Sequence, residues 1–283
     1  MAIDVVVFPV AGLGSRFLPA TKVIPKEMLP IVDVPLIQLA VEEAYRAGIR
    51  EIILVTSSSK RAIEDHFDRS WELENMLASR GKDALLAQVR AVLPAGMSVS
   101  VVRQAQALGL GHAVLCARQV VGQRPFAVVL PDDLIDGPDA GCLADMVALH
   151  QQAGAYSLAV QEVPRSQTSS YGVVSLAGER ISGLVEKPKP EVAPSTLAVV
   201  GRYILPPEIF AALEQVQPGA GGELQLTDGI AALLADTDFR PHCFRGIRYD
   251  CGSKLGHLQA NLAYALKDTA LAGPLRAWIR EHI

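Results

Sequence analysis

A chain of 283 residues, half of them apolar, can bury a sizeable core as one large or two modest domains and lacks the polar bias of a disordered segment. Its 30 acidic and 26 basic residues are spread along the sequence for a net charge of −4, which excludes a whole-protein basic face for nucleic acid and makes any anion site a local concentration of cations. No apolar run reaches the roughly 18 residues that cross a bilayer, and the opening MAIDVVVFPVAG has no basic segment before its apolar stretch, so a cytoplasmic protein without membrane contact is expected.

In chain order, VVVFPV, LIQLAVEEAYRAG, EIILVT and KRAIEDHF set up a βαβα rhythm that SVSVVRQ, GHAVLCARQ and FAVVLPDD continue. This predicts an α/β fold with a mixed, mainly parallel sheet flanked by helices. The strands at 5–10, 52–56 and 126–131 are apolar throughout, as strands covered on both faces should be. Pro35 can open the first helix and Gly48 can close it. Residues 71–93, WELENMLASRGKDALLAQVRAVL, read as a long inserted helical stretch. After about residue 155 closely spaced strands follow: SLAVQEV, YGVVSL, ISGLVEKP and LAVVGRYIL. Helical periods return at 224–235, 254–267 and 274–282, the last two suited to packing or oligomer contacts. With no repeats or low-complexity linker, one continuous domain over 1–283 is expected, with a first half at 1–150, a substrate-facing half at 151–253 and C-terminal helices at 254–283.

The cysteines at 116, 142, 243 and 251 have no C-x-x-C spacing, which argues for buried thiols and against a zinc site or disulfide framework. The six histidines lack metal-ligand spacing. Ser57 to Ser59 lack the G-x-S-x-G surroundings of a nucleophilic serine.

Gly12 and Gly14 follow the first strand, where glycine lets backbone N–H groups approach an anion. A dinucleotide fingerprint requires a third glycine at 17, which is Phe17, and an acid at the end of the second strand, which holds serines; no Walker A string occurs either. Arg16, Lys22 and Lys26 come next, in a segment whose prolines at 19, 25 and 30 are expected to hold it extended around a polyphosphate. Asp132 ends an apolar strand, where open α/β sheets bind ligands.

The stretch AGLGSRFLPATKVIPKEMLPI resembles the G-x-G-x-R and P-K-x-x-L-P signature of the sugar nucleotidyltransferases. RQAQALGLGHAV, LPDD, YGVV, VEKPK, VGRYIL, GGELQLTD and YDCGSKLG follow in the family's order. Over essentially the whole chain the likeness is to the bacterial uridylyltransferase branch, which has the Rossmann-like nucleotide-diphospho-sugar transferase fold. It implies conversion of UTP and glucose 1-phosphate to UDP-glucose and pyrophosphate, with Mg2+ as cofactor and a homodimer or homotetramer as assembly. By the same resemblance, Arg16 and Lys26 neutralise the nucleotide phosphates, and the backbone of Ala11, Gly12 and Gly14 meets the nucleoside and phosphates. Gln104 and Gly109 read the uracil. Asp132 is the main metal ligand with Asp250 as second, Asp133 being left open. Lys187 takes the phosphate of the sugar, Glu186 its hydroxyls, and Gly172 lets it close to the backbone. These residue types suit the chemistry. An arginine fork binds phosphate bidentately, magnesium takes one or two carboxylates plus phosphates and water, and an amide can pair with a pyrimidine imide edge. Two alternatives stay open at this point: a relative using dTTP, and a non-catalytic nucleotide-sugar sensor.

Overall fold

The computed structural model of the chain describes residues 2–219 and 222–282. Gly221 of the GGELQLTD stretch lies outside them. Strand β1 (Val5–Pro9) begins the sheet with four fully buried residues. Successive side chains of a strand point to opposite faces, and here each face has its own apolar layer. Val6 and Phe8 join one core cluster, Val5 and Val7 the other. Burial on both sides is why the segment reads as continuously apolar.

The next segment departs from expectation. It is not extended but folded as three short 3-10 turns, Ser15–Phe17, Ala20–Lys22 and Lys26–Met28. Pro19 and Pro25 each precede a turn, where a fixed φ is useful and a missing N–H costs nothing. The turns close through Phe17 N–H to Gly14, Lys22 N–H to Pro19 and Met28 N–H to Pro25. A two-residue ribbon, β2 (Pro30–Ile31) with β3 (Val34–Pro35), leads into helix α1 (Leu36–Arg46). Pro35 stands just before that helix, and Gly48, at φ +89°, turns the chain after it, both as expected.

Strand β4 (Glu51–Thr56) and helix α2 (Arg61–Phe67) follow. The stretch expected as one long helix is two, α3 (Trp71–Ser79) and α4 (Asp83–Ala91), separated where Gly81 adopts φ +63°. No residue of α4 is buried; Glu74 of α3 ties the pair by accepting hydrogen bonds from Arg69 and from Arg90 of α4. Strand β5 (Ser98–Arg103), helices α5 (Leu110–Cys116) and α6 (Arg118–Val121), strands β6 (Phe126–Val129) and β7 (Asp133–Asp136), and helix α7 (Cys142–Ala153) complete the first half. The later strands are β8 (Tyr156–Glu162), β9 (Gly172–Ala177), β10 (Arg180–Glu186) and β11 (Leu197–Leu205). Helices α8 (Ile209–Gln215) and α9 (Leu226–Leu233), strands β12 (Phe239–Cys243) and β13 (Ile247–Asp250), and helices α10 (Lys254–Ala265) and α11 (Ala272–His282) end the described chain.

Nine strands form one mixed sheet in the order β10-β9-β11-β6-β1-β4-β5, with β8 joined to β11 and β12 to β8. The β6-β1-β4-β5 run is parallel, while β11 meets its neighbours antiparallel. Helices α1, α2 and α7 pack on one face and α5, α8 and α9 on the other. Arg202 of β11, 1% exposed, forks onto both carboxylate oxygens of Glu43 in α1 (2.7–3.2 Å) and donates to the carbonyls of Leu130 and Gly201. Burial alone would lower the Arg202 pKa; Glu43 outweighs it and holds the guanidinium above its ordinary value. The four cysteines are free thiols, two of them buried and Cys243 exposed. Among the described residues no helix is long and apolar enough to cross a membrane.

Candidate active site

The carboxyl ends of β1, β5 and β6 open on one side of the sheet, where ligands of α/β sheets bind. A cavity of about 420 Å³ lies over the glycine loop, lined by Ala11, Gly12, Gly14, Lys26, Gln104 and Gly109 among others. A second, of about 470 Å³, is lined by Arg16, Asp132, Tyr171, Glu186, Lys187 and Asp250 among others. Asp132 lines both, and also the narrow seam of about 160 Å³ where Arg16, Lys26 and Gly252 meet.

The expected residues come together around that seam. Gly14, at φ +67°, turns the chain into the Ser15–Phe17 turn, and the Thr21 hydroxyl donates to its carbonyl at 2.7 Å. Nothing lies within 4 Å of where a Gly12 side chain would start, so that backbone faces open cavity. Gly252 has the opposite surroundings: a Cβ there would sit 3.0 Å from both Asp132 Oδ2 and Asp250 Oδ1 and 3.2 Å from an Arg16 nitrogen. Three of the expected side chains thus come within about 3 Å of one point, where the residue between them has no side chain. Arg16 also donates to the Gly252 carbonyl at 3.2 Å, and the Cys251 N–H donates to the Asp132 carbonyl at 2.8 Å, fixing the loop against the strand end.

Lys26 is in direct contact with Asp132. Burial works to raise the Asp132 carboxyl, but Lys26 outweighs it and leaves the group below the ordinary carboxylate value. Lys26 responds in kind: burial would lower it, and Asp132 and Glu27 push it above its usual value. Each partner thus favours the charged form of the other.

On the nucleotide side, the Gln104 amide nitrogen donates to the Gly109 carbonyl at 3.1 Å and lies 3.0 Å from His112 Nδ1. One N–H is thereby used within the protein, and the second is too when His112 Nδ1 carries no proton. Gly109, at φ +96°, passes so close to Leu224 that a Cβ would meet its carbonyl at 2.8 Å. On the far side, Gly172 is paired with Glu186 across β9 and β10, and the Glu186 carboxylate holds Lys187 Nζ at 3.1 Å. A Cβ at Gly172 would strike Thr227 at 2.8 Å and approach Glu186 at 3.4 Å. Lys187 has the left-handed φ of +44°, rare for a side chain of its size, and its N–H donates to the Tyr171 carbonyl at 2.9 Å.

Two parts of this arrangement escaped the sequence reading. Asp133 is engaged on both oxygens, one by Arg248 and the other by the Gly201 N–H at 3.0 Å. Glu27 is 1% exposed and accepts a 2.9 Å bond from the buried Lys60, which clamps the Lys26 turn to the start of α2; burial pushes its carboxyl up, against Lys26 and Lys60. The only cue to either was proximity to a motif, Glu27 beside Lys26 and Arg248 two positions before Asp250. Conversely, Lys22 is exposed and lines neither cavity, and of the histidines only His112 touches the expected site.

The residues fit a divalent cation. Among the described residues no cluster of three or more His, Cys, Asp or Glu could by itself hold a metal. The carboxylates of Asp132 and Asp250 do face one point, and two carboxylates completed by phosphate oxygens and water are a usual magnesium arrangement.

The family described as nucleotidyl transferase matches residues 7–266. The chain belongs to that family. It is 46% identical to the UTP–glucose-1-phosphate uridylyltransferase of Escherichia coli strain K12, with 98% of this chain and 95% of the relative covered. A UTP-bound UGPase from Acinetobacter baumannii superposes with a TM-score of 0.91 at 45% identity, over 99% of this chain and all of the other. A UDP-glucose pyrophosphorylase complexed with UDP-glucose superposes with a TM-score of 0.85 at 43% identity, over 94% of this chain and all of the other. The expected fold and family are both borne out.

Proposed function

We propose that the chain catalyses nucleotidyl transfer from UTP to α-D-glucose 1-phosphate, releasing pyrophosphate and forming UDP-glucose. The observation that carries this reading is the convergence of Asp132, Asp250 and Arg16 on Gly252, at the seam between a glycine-lined cavity and one holding Lys187. Near-full-length relatives named for this activity support it.

The nucleophile is a phosphate oxygen of the sugar phosphate and the electrophile is the α-phosphorus of UTP. A phosphomonoester has its second pKa at about 6, so it arrives already ionised and needs no protein base. The obstacle is repulsion between two anions, and the chain answers it with fixed cations and in-line placement. In this reading Arg16 and Lys26 face the triphosphate, while Lys187 anchors the sugar phosphate, steadied by Glu186, which also accepts from sugar hydroxyls. With the Gln104 amide nitrogen turned toward Gly109 and His112, its carbonyl oxygen is the atom assigned to accept the uracil imide N–H. Asp132 and Asp250 would hold Mg2+, which when bound neutralises phosphate charge.

The same reading gives 1–150 to the nucleotide and 151–253 to the sugar. It makes the chain a homodimer or homotetramer, for which the exposed leucines 255, 258 and 262 along one side of α10 supply an apolar stripe.

The test is pyrophosphate release from a panel of nucleoside triphosphates with glucose 1-phosphate, with and without EDTA. Release with UTP, lost on chelation, is expected. Release with dTTP alone overturns the nucleotide assignment, indifference to EDTA overturns the metal, and no release with any triphosphate overturns catalysis. Arg16→Ala is expected to lower kcat/KM about a hundredfold, roughly 3 kcal/mol, with an unchanged circular dichroism spectrum, as removal of one preorganised donor does. A variant within threefold of the parent would remove Arg16 from the phosphate site.

A further inference from the structure

Arg248 is one of the residues that line the larger cavity. Its side chain is 9% exposed. Strand β13 pairs antiparallel with β7, placing Arg248 two residues before Asp250 and therefore on the same side of the strand. The guanidinium is held from one side by Asp133, whose Oδ1 accepts from Nε at 2.5 Å and also contacts the neighbouring amino group. On its other side, a second amino group donates to the Tyr171 hydroxyl at 3.2 Å, with the guanidinium carbon 5.2 Å from the Tyr171 ring centre.

Tyr171 occupies a sensitive place. Its carbonyl receives the Lys187 N–H, and Lys187 keeps a left-handed backbone. A residue with a full side chain persists in that region only when its surroundings over-determine it. The next residue, Gly172, is paired with Glu186. A continuous chain of contacts therefore runs from Asp133, beside Asp132, through Arg248 and Tyr171 to the backbone of Lys187.

We propose that Arg248 is a positioning residue for the sugar phosphate: anchored on Asp133, it fixes Tyr171 and through it the Lys187 backbone, setting the sugar cavity relative to Asp132. The inference deepens the uridylyltransferase reading and rests on it. Arg248 need not touch substrate for this. An arginine suits the task because its planar fork can engage two partners at once and keeps its charge, whereas a lysine reaches only one with comparable geometry. Pairing with Arg248 has a second effect, since it neutralises one of the two adjacent carboxylates at the strand end and leaves Asp132 to Lys26.

The test compares steady-state kinetics of Tyr171→Phe, Arg248→Lys and the double variant with the parent. Parental turnover of UTP and glucose 1-phosphate is measured first, and its absence would overturn the underlying reading, not this inference. Tyr171→Phe deletes only the hydroxyl and leaves Asp133 paired, so the variant folds even if changes at Arg248 do not. Loss of a hydrogen bond to a charged group predicts about a tenfold rise in KM for glucose 1-phosphate, with KM for UTP within twofold of the parent. Arg248→Lys is expected to show the same one-sided rise, and the double variant to be no worse than Arg248→Lys alone, because both break one chain of contacts. A KM for glucose 1-phosphate within twofold of the parent in Tyr171→Phe, a parallel rise in both KM values, or additive effects in the double variant would each overturn the proposal.

Discussion

Asp132→Asn is expected to lower kcat/KM by roughly a thousandfold, about 4 kcal/mol of transition-state stabilisation. Asparagine has nearly the same shape and can still accept a hydrogen bond from Lys26, so the loss isolates charge. Two cations of the reaction depend on this carboxylate in different ways. Lys26 is seated by it, and the proposed Mg2+ would take it as principal ligand. Without it Lys26 has Glu27 Oε1 as its remaining acidic neighbour at 4.0 Å, and that oxygen has no other hydrogen-bond partner. The lysine would be drawn toward Glu27 and away from the seam. The measurement is pyrophosphate release as a function of magnesium concentration, and the half-saturating concentration should rise along with the fall in rate. An Asp132→Asn enzyme with more than a tenth of parental activity at ordinary magnesium would remove Asp132 from the centre of the mechanism.

The second large effect is on stability. Arg202→Met is expected to cost about 3–5 kcal/mol, because it strands the Glu43 carboxylate in the interior. For a chain of this size that is a fall in Tm on the order of 10 °C. Glu43 has one further donor, the Leu143 N–H at 3.3 Å, too little to offset the lost guanidinium. Thermal denaturation of Arg202→Met and of the double variant Arg202→Met/Glu43→Leu separates the explanations. Removing both charges should restore much of the loss, since an apolar pair of similar volume is often as stable as a buried ion pair. A control is Arg118→Met, whose partner Glu214 is about as exposed as it is; the expected change there is below about 1 kcal/mol. Equal shifts for the buried and exposed pairs would refute the argument.

Local chemistry made some of this legible from residues alone. Strand β1 was readable because burial on both faces leaves a continuous apolar signature; Asp132 stood at a strand end where α/β sheets bind ligands, but a cap or turn role was equally open there until the family resemblance was added. The glycine loop, with Arg16 and Lys26 behind it, suggested an anion site, and these residues line one seam in the fold. What could not be read was pairing at long range. Arg248 finds Asp133 from 115 positions away and Tyr171 from 77, and Arg202 finds Glu43 from 159. No periodicity encodes such partners. The 71–93 stretch misled for a different reason: its helical spacing is real, but Gly81 reverses the chain between two short helices. The prolines at 19 and 25 likewise suggested extension where they begin tight turns. Strand β12 was missed because FRPHC carries a proline, tolerated here because the strand pairs with β8 alone.

Gln104 follows β5 and answers to Gly109 and His112, while Glu186 ends β10 and answers to Lys187 and Gly172. These strands are the two ends of the main strand order, and the two groups share no side-chain partner. In the proposed reading, a substitution beside Gln104 is expected to change the preferred nucleobase while leaving the Glu186–Lys187 contact on the sugar side intact.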